Sequence, residues 1–184
     1  MDQLEGRNVV FEALKRQTRQ VHRIALDERA RPNPRVTEIL TLASQVGARL
    51  ERVPRTDLDR WSQTGVHNGI MAEADPLPQW TVASRLGEVL ESGEFPFFVL
   101  VDEVSYEHNL GAVMRSALGA GVHGVIVPVR RGKGLTPVVQ RVAMGAAESV
   151  PLIREGLTSA LATLRRAGVR VVGADMDGDA YWDV

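Results

Sequence analysis

Residues 95–121 read FPFFVLVDEVSYEHNLGAVMRSALGAG, and the architecture of the chain is read outward from them. Phe97, Phe98, Val99, Leu100 and Val101 form a continuous apolar run, the pattern of a strand buried on both faces. Asp102 and Glu103 end that run, and a polar loop leads through Ser105, Tyr106, Glu107 and His108 to Asn109. Leu110, Val113, Met114, Ala117 and Leu118 then recur at helical spacing, and Gly119 and Gly121 stop the helix. A second apolar run, residues 122–127, completes a strand–helix–strand unit, which requires a parallel sheet.

Two polar residues stand out in this unit. Asn109 lies where the helix should begin, so it reads as an N-cap or as a site residue. Arg115 reads as a solvated helix residue or as a guanidinium projecting from a mostly buried helix, where it needs an acidic or phosphate partner. Gly111 leaves room for another backbone or a ligand to come close. The run Asp102-Glu103-Val104…Asn109-x-Gly111-Ala112-x-x-Arg115-x-Ala117 resembles the first signature motif of the SpoU (TrmH-like) RNA 2'-O-ribose methyltransferases. These belong to the SPOUT superfamily, which has a knotted α/β catalytic domain. Tyr106-Glu107 stands where the family often has Asp-Pro, which alters the loop but leaves Asn109 and Arg115 in place. The resemblance implies catalytic roles for both: Asn109 fixing the loop, Arg115 acting at the ribose hydroxyl and an RNA phosphate.

Composition sets the outer bounds. The 184 residues suffice for one large domain or two small ones. No apolar run is long enough to span a membrane, and the N-terminus lacks the layout of a signal peptide. Cysteine is absent and the four histidines are scattered, which excludes disulfides and gives no metal-site spacing. Net charge is −1, against a protein that coats nucleic acid by bulk charge. The chain reads as cytoplasmic, metal-free, and without a membrane or DNA partner.

The first 75 residues read as a compact α/β sandwich. Helices are expected at 6–16, 36–46 and 55–63, and strands at 21–26, near Leu50 and Val53, and at 69–72, with a turn at Pro32 and Pro34. Asp75-Pro76-Leu77-Pro78-Gln79 marks a linker, 76–80, before a second domain at 81–184. That domain continues past the central unit with a helix at 137–144, a strand at 150–153, a helix at 157–167 and a strand at 169–172. Gly6-Arg7-Asn8-x-Val10-x-Glu12 and His67-Asn68-Gly69-Ile70 resemble two segments of the accessory RNA-binding domain of many SpoU members, itself similar to small ribosomal proteins. By this resemblance Arg7, Asn8, His67 and Asn68 contact RNA. Read alone, Asn8 is equally a helix cap and His67 a turn residue.

Arg130, Arg131 and Lys133 lie on a glycine-punctuated loop after the second strand, where open α/β sheets bind ligands, and their charge suits phosphate or plain solvation. Gly145-Ala146-Ala147-Glu148 resembles another family segment, with Ala143 and Met144 replacing the usual Ser-Ala. Glu148 reads as a supporting partner of an arginine or as a helix-end carboxylate. Two further family motifs, which complete the methyl-donor pocket, are not found, so the chain is expected to be cut short. Of the segments present, Gly173 and Ala174 are those expected to touch S-adenosylmethionine. The resemblance thus implies a ribosomal-protein-like α/β sandwich followed by the N-terminal part of a parallel-sheet SPOUT domain. It further implies RNA 2'-O-methylation, ribosomal RNA before transfer RNA, and a homodimer at full length. A binding module without turnover and an antibiotic-resistance rRNA methyltransferase are the alternatives.

Overall fold

The computed structural model describes residues 1–31, 33–130, 132–174 and 177–178. Pro32 and Arg131, both named above, and residues 175–176 and 179–184 lie outside the described residues.

The first unit runs β1 (Asp2–Glu5), α1 (Arg7–Arg16), β2 (Val21–Asp27), α2 (Pro34–Val46), β3 (Arg49–Val53), α3 (Arg55–Trp61) and β4 (Ile70–Ala74). Its sheet has the order β1-β4-β2-β3, with β2 and β3 parallel and the other pairs antiparallel. Period-two alternation sends Ile24 and Leu26 of β2 to one face and Ala25 to the other. Val9, Val10, Leu14, Ile39 and Ala43 of α1 and α2 close the first face. Leu58 and Trp61 of α3 cover part of the second over Ala25 and Met71. The expected sandwich is present, with one strand more than sequence reading supplied. β1 has a single core residue, Leu4, and owes its form to pairing with β4, a contact that local periodicity does not encode.

The second unit runs α4 (Val82–Glu91), β5 (Phe98–Leu100), α5 (Glu107–Gly119), β6 (Gly124–Val127), α6 (Pro137–Val142), a 3-10 turn (Ala146–Glu148), β7 (Leu152–Arg154) and α7 (Leu157–Arg166). The sheet is parallel throughout, in the order β5-β6-β7. Leu110, Met114 and Ala117 of α5 pack with Val139 of α6 on one face, against Val125 and Val127. Val82, Leu86, Ala160 and Leu164 of α4 and α7 take the other, against Ile126 and Ile153. Each large side chain so buried contributes about 1.5–3 kcal/mol.

Three expectations change. The run at 97–101 is only half-buried, because β5 is an edge strand and the doubly covered position belongs to β6. Residues 169–172 form no strand: Val171 and Val172 are 37% and 60% exposed, and among the described residues the sheet stops at β7 with no pairing there. The helix of the central unit begins at Glu107, two residues before Asn109, because the Asn109 and Leu110 N–H groups already donate to the Tyr106 carbonyl, at 3.1 and 3.3 Å.

The linker at 76–80 passes beside a cleft of about 540 Å³ lined by Leu77, Trp80, Leu135, Glu148 and Arg154 among others. The two units are packed together: α6 and the 3-10 turn lie against α1 and β1.

Candidate active site and interdomain contact

Asn109 is the third residue of α5, exposed, and its side-chain amide makes no hydrogen bond among the described residues, so it does not cap the helix. Arg115 follows six residues on, about 9 Å along the axis. The two stand at opposite edges of the solvent-facing arc of α5, with exposed Ala112 between them. The other face of α5 is anchored by fully buried Leu110 and Met114. Gly111 is buried because α6 crosses there: a Cβ would lie 2.6 Å from Val142 Cβ and 3.0 Å from the Val139 carbonyl oxygen. The approach expected at this glycine is therefore made by the protein's own helix.

Arg115 is exposed, and no carboxylate among the described residues pairs with it. Its Nη1 donates to Met144 Sδ at 3.4 Å. Met144 sits in the turn after α6 with a left-handed φ of 55°, and Gly145 follows at φ 94°. Left-handed backbone at a non-glycine residue is uncommon and concentrates at functional positions. Among the described residues Gln17, Asn68, Glu103 and Met144 adopt it. Gln17 is an ordinary helix C-cap; the other three fall in segments singled out from the sequence.

The two accessory segments are adjacent. The Gly6 N–H donates to the Ile70 carbonyl at 3.1 Å, and a Cβ on Gly6 would meet Asn68 Nδ2 at 3.7 Å. Gly6 adopts φ 98°, ψ 154°, a region open essentially to glycine alone. Asn68 is exposed, but His67 is 2% exposed and committed on both ring nitrogens. Its Nδ1 accepts from the Gly69 N–H at 3.1 Å, which leaves Nε2–H to donate to Asp59 at 2.8 Å. His67 thus supports the turn from within. Arg7 and Asn8 are half-buried at the start of α1, beside the second unit, and Arg7 Nε is buried without a partner.

Arg130 and Lys133 are exposed on the loop following β6, which is folded back by Gly132 N–H donating to the Pro128 carbonyl at 2.9 Å. Gly173 and Ala174 are exposed and lie outside the cleft beside the linker. The described residues do not build a donor pocket around them.

Glu148 is 4% exposed and pairs with an arginine that the sequence did not single out. Arg19, in the connection between α1 and β2, donates through Nη2 to Glu148 Oε1 and to Gln140 Oε1, the latter at 2.8 Å. Its Nη1 bonds Asp2 at 2.8 Å and the Asp75 carbonyl at 3.3 Å, while Thr18 Oγ1 donates to Glu148 at 2.9 Å. Nothing in the local run Gln17-Thr18-Arg19-Gln20 distinguishes Arg19 from a solvated turn residue; its partners Asp2, Asp75, Gln140 and Glu148 are all distant in sequence.

Comparison with known proteins agrees with this arrangement. Residues 3–80 match the family model for RNA 2'-O ribose methyltransferase substrate binding, and residues 96–184 match the SpoU rRNA Methylase family. The chain is 40% identical over 178 residues to the 23S rRNA (guanosine-2'-O-)-methyltransferase RlmB of Pseudomonas putida, covering 94% of this chain and 71% of that one. It is 35% identical over 180 residues to an uncharacterized tRNA/rRNA methyltransferase of Mycolicibacterium smegmatis, covering 97% of this chain and 57% of that one. In fold it resembles an RNA 2'-O ribose methyltransferase (TM-score 0.73, 20% identity, 99% of this chain and 66% of that one). It also resembles the SpoU methyltransferase AviRb from Streptomyces viridochromogenes in complex with AdoMet (TM-score 0.67, 18% identity, 90% and 60%). The chain therefore spans between 57% and 71% of the length of these proteins. An accessory α/β sandwich joined to a parallel α/β unit carrying the Asn109–Arg115 helix defines an RNA methyltransferase of the SPOUT class. Within that class, the chain belongs to the SpoU family.

Proposed function

We propose that the chain serves S-adenosylmethionine-dependent methylation of a ribose 2'-hydroxyl in RNA, with ribosomal RNA as the substrate. The observation that carries this reading is a convergence. The accessory segment carrying Asn8 and Glu12 and the family helix α5 meet at the Met144–Gly145 turn, beside an exposed arginine that no described carboxylate neutralises. A guanidinium left in that condition suits an RNA phosphate and an adjacent ribose hydroxyl. A guanidinium holds its proton too firmly to act as the proton acceptor, so its part is to orient the hydroxyl and offset phosphate charge. The methyl donor supplies an activated methyl group. Gly173 and Ala174 are the residues of this chain proposed to touch it, and Arg130, Arg131 and Lys133 are proposed to hold RNA phosphates. The accessory domain supports ribosomal over transfer RNA, and the family resemblance supports pairing of the full-length protein as a homodimer, which light scattering reads directly.

The test measures transfer of labelled methyl from S-adenosylmethionine to ribosomal RNA. Arg115→Ala is expected to slow transfer by about 10²–10³-fold, the loss typical of removing one preorganised donor, with donor affinity by calorimetry unchanged. Loss of donor binding together with transfer would make Arg115 a structural residue. The exposure of Gly173 and Ala174 favours a second reading, an RNA-binding module without turnover. Calorimetry separates the two, because the module binds RNA and shows no heat with the donor.

A further inference from the structure

We infer that the accessory domain positions the arginine of α5, with Met144 as the positioning residue: docking of α1 sets the Met144–Gly145 turn, and the Met144 thioether aims the Arg115 guanidinium. This rests on the reading of Arg115 as the group that meets the ribose and phosphate.

Three observations lead to it. First, Met144 holds its left-handed backbone in a turn that has no slack. A Cβ on Gly145 would stand 2.5 Å from Glu12 Cγ, 2.6 Å from Glu12 Cβ and 3.3 Å from the Asn8 carbonyl oxygen, so α1 of the accessory domain fills the space against the turn. Second, the accessory domain grips the same segment on its far side. Glu148, which ends the 3-10 turn begun at Ala146, is tied to Arg19 and Thr18, and Gln140 of α6 is tied to Arg19 as well. The segment 140–148 is thus held by accessory residues at both ends and in the middle. Third, Met144 is 44% exposed, and its sulfur meets Arg115 Nη1 at 3.4 Å.

The chemistry of the contact suits positioning. A thioether is a weak, uncharged acceptor. It gives the guanidinium a direction without neutralising it, so the full positive charge stays available to a phosphate. A carboxylate in its place would compete with the RNA. The accessory domain thereby acts on the reaction site as well as on RNA capture: its seating on the turn decides where the arginine points.

The experiment uses the chain labelled with ¹³C at its methionine methyl groups, of which the sequence has five. Met144→Leu assigns the Met144 signal. Arg115→Lys is expected to shift it, as are Arg19→Gln and Glu12→Ala, both in the other domain. Met71, buried on the far face of the accessory sheet, is expected to keep its position and so report that this domain stays folded. Should Arg19→Gln displace Met71 too, the milder Glu12→Ala, on a helix that favours alanine, decides. A Met144 signal unmoved by Arg115→Lys would show no contact between them. One unmoved by both domain variants would show that the turn keeps its shape unaided. Either result overturns the inference. Because the spectra need no turnover, their outcome is read separately from any failure of methyl transfer.

Discussion

Glu5, 1% exposed at the end of β1, accepts hydrogen bonds from Gln3 Nε2, Ser62 Oγ, the Gln63 N–H and both the N–H and Oγ1 of Thr64. Burial pushes its carboxyl up, but the donors from Ser62, Thr64, Gln63 and Gln3 together outweigh that and hold it below the ordinary carboxylate range. A carboxylate depressed in the folded state contributes stability that is complete above its unfolded pKa, about 4.3, and is lost as pH falls through the folded value. Glu5→Gln is therefore expected to cost about 1.5–3 kcal/mol at neutral pH. The gap between variant and wild type should close in acid, as urea midpoints at pH 7 and pH 3 would show. A gap that stayed constant would mean the charge is not what the loop after α3 depends on. The same scale explains His67: its two ring bonds make it a brace for the Asn68–Gly69 turn, and Asn68 is the exposed, left-handed residue of that pair.

Between elements, the close crossing of α5 and α6 at Gly111 governs the site. Gly111→Ala would place a methyl 2.6 Å from Val142 Cβ, and overpacking of that kind costs about 1–3 kcal/mol. Because α6 leads directly into Met144, parting the helices should also carry Met144 away from Arg115. Thermal melts give the first effect, and the RNA affinity of the folded variant gives the second. An unchanged melting temperature would mean that the crossing loosens at little expense. The edge place of β5 belongs to this scale too. Its apolar run looks in sequence like a central strand, yet burial is set by neighbours, and β6 has partners on both sides where β5 has one.

For the molecule as a whole, the buried Arg19–Glu148 pair makes two sequence-separate domains into one packed body. Removing one partner of a buried pair leaves an uncompensated charge, which costs about 3–5 kcal/mol, whereas replacing both by apolar groups is often neutral. Arg19→Met is thus expected to loosen the docking and to expose the 76–80 linker to protease. Arg19→Met combined with Glu148→Leu should restore much of the protection. If the double variant is cut as fast as the single one, the pair holds the domains by specific geometry, and an apolar seat cannot replace it.

The strand–helix–strand unit, the glycine at the helix crossing and the family were all present in the order of residues, because periodicity and motif spacing are local properties. The cap of α5 is Tyr106, three residues before Asn109, which has the chemistry of a cap without the position. β1 and the non-strand character of 169–172 depend on whether a partner edge exists, which no window of sequence contains. Likewise Glu148 reads in sequence as a partner of an arginine or as a helix-end carboxylate, and its partner Arg19, 129 residues earlier, is brought to it by tertiary packing. Sequence determined which side chains the protein has to offer. Tertiary packing decided which of them are taken up holding the domains together and which, Arg115 among them, stay exposed at the surface.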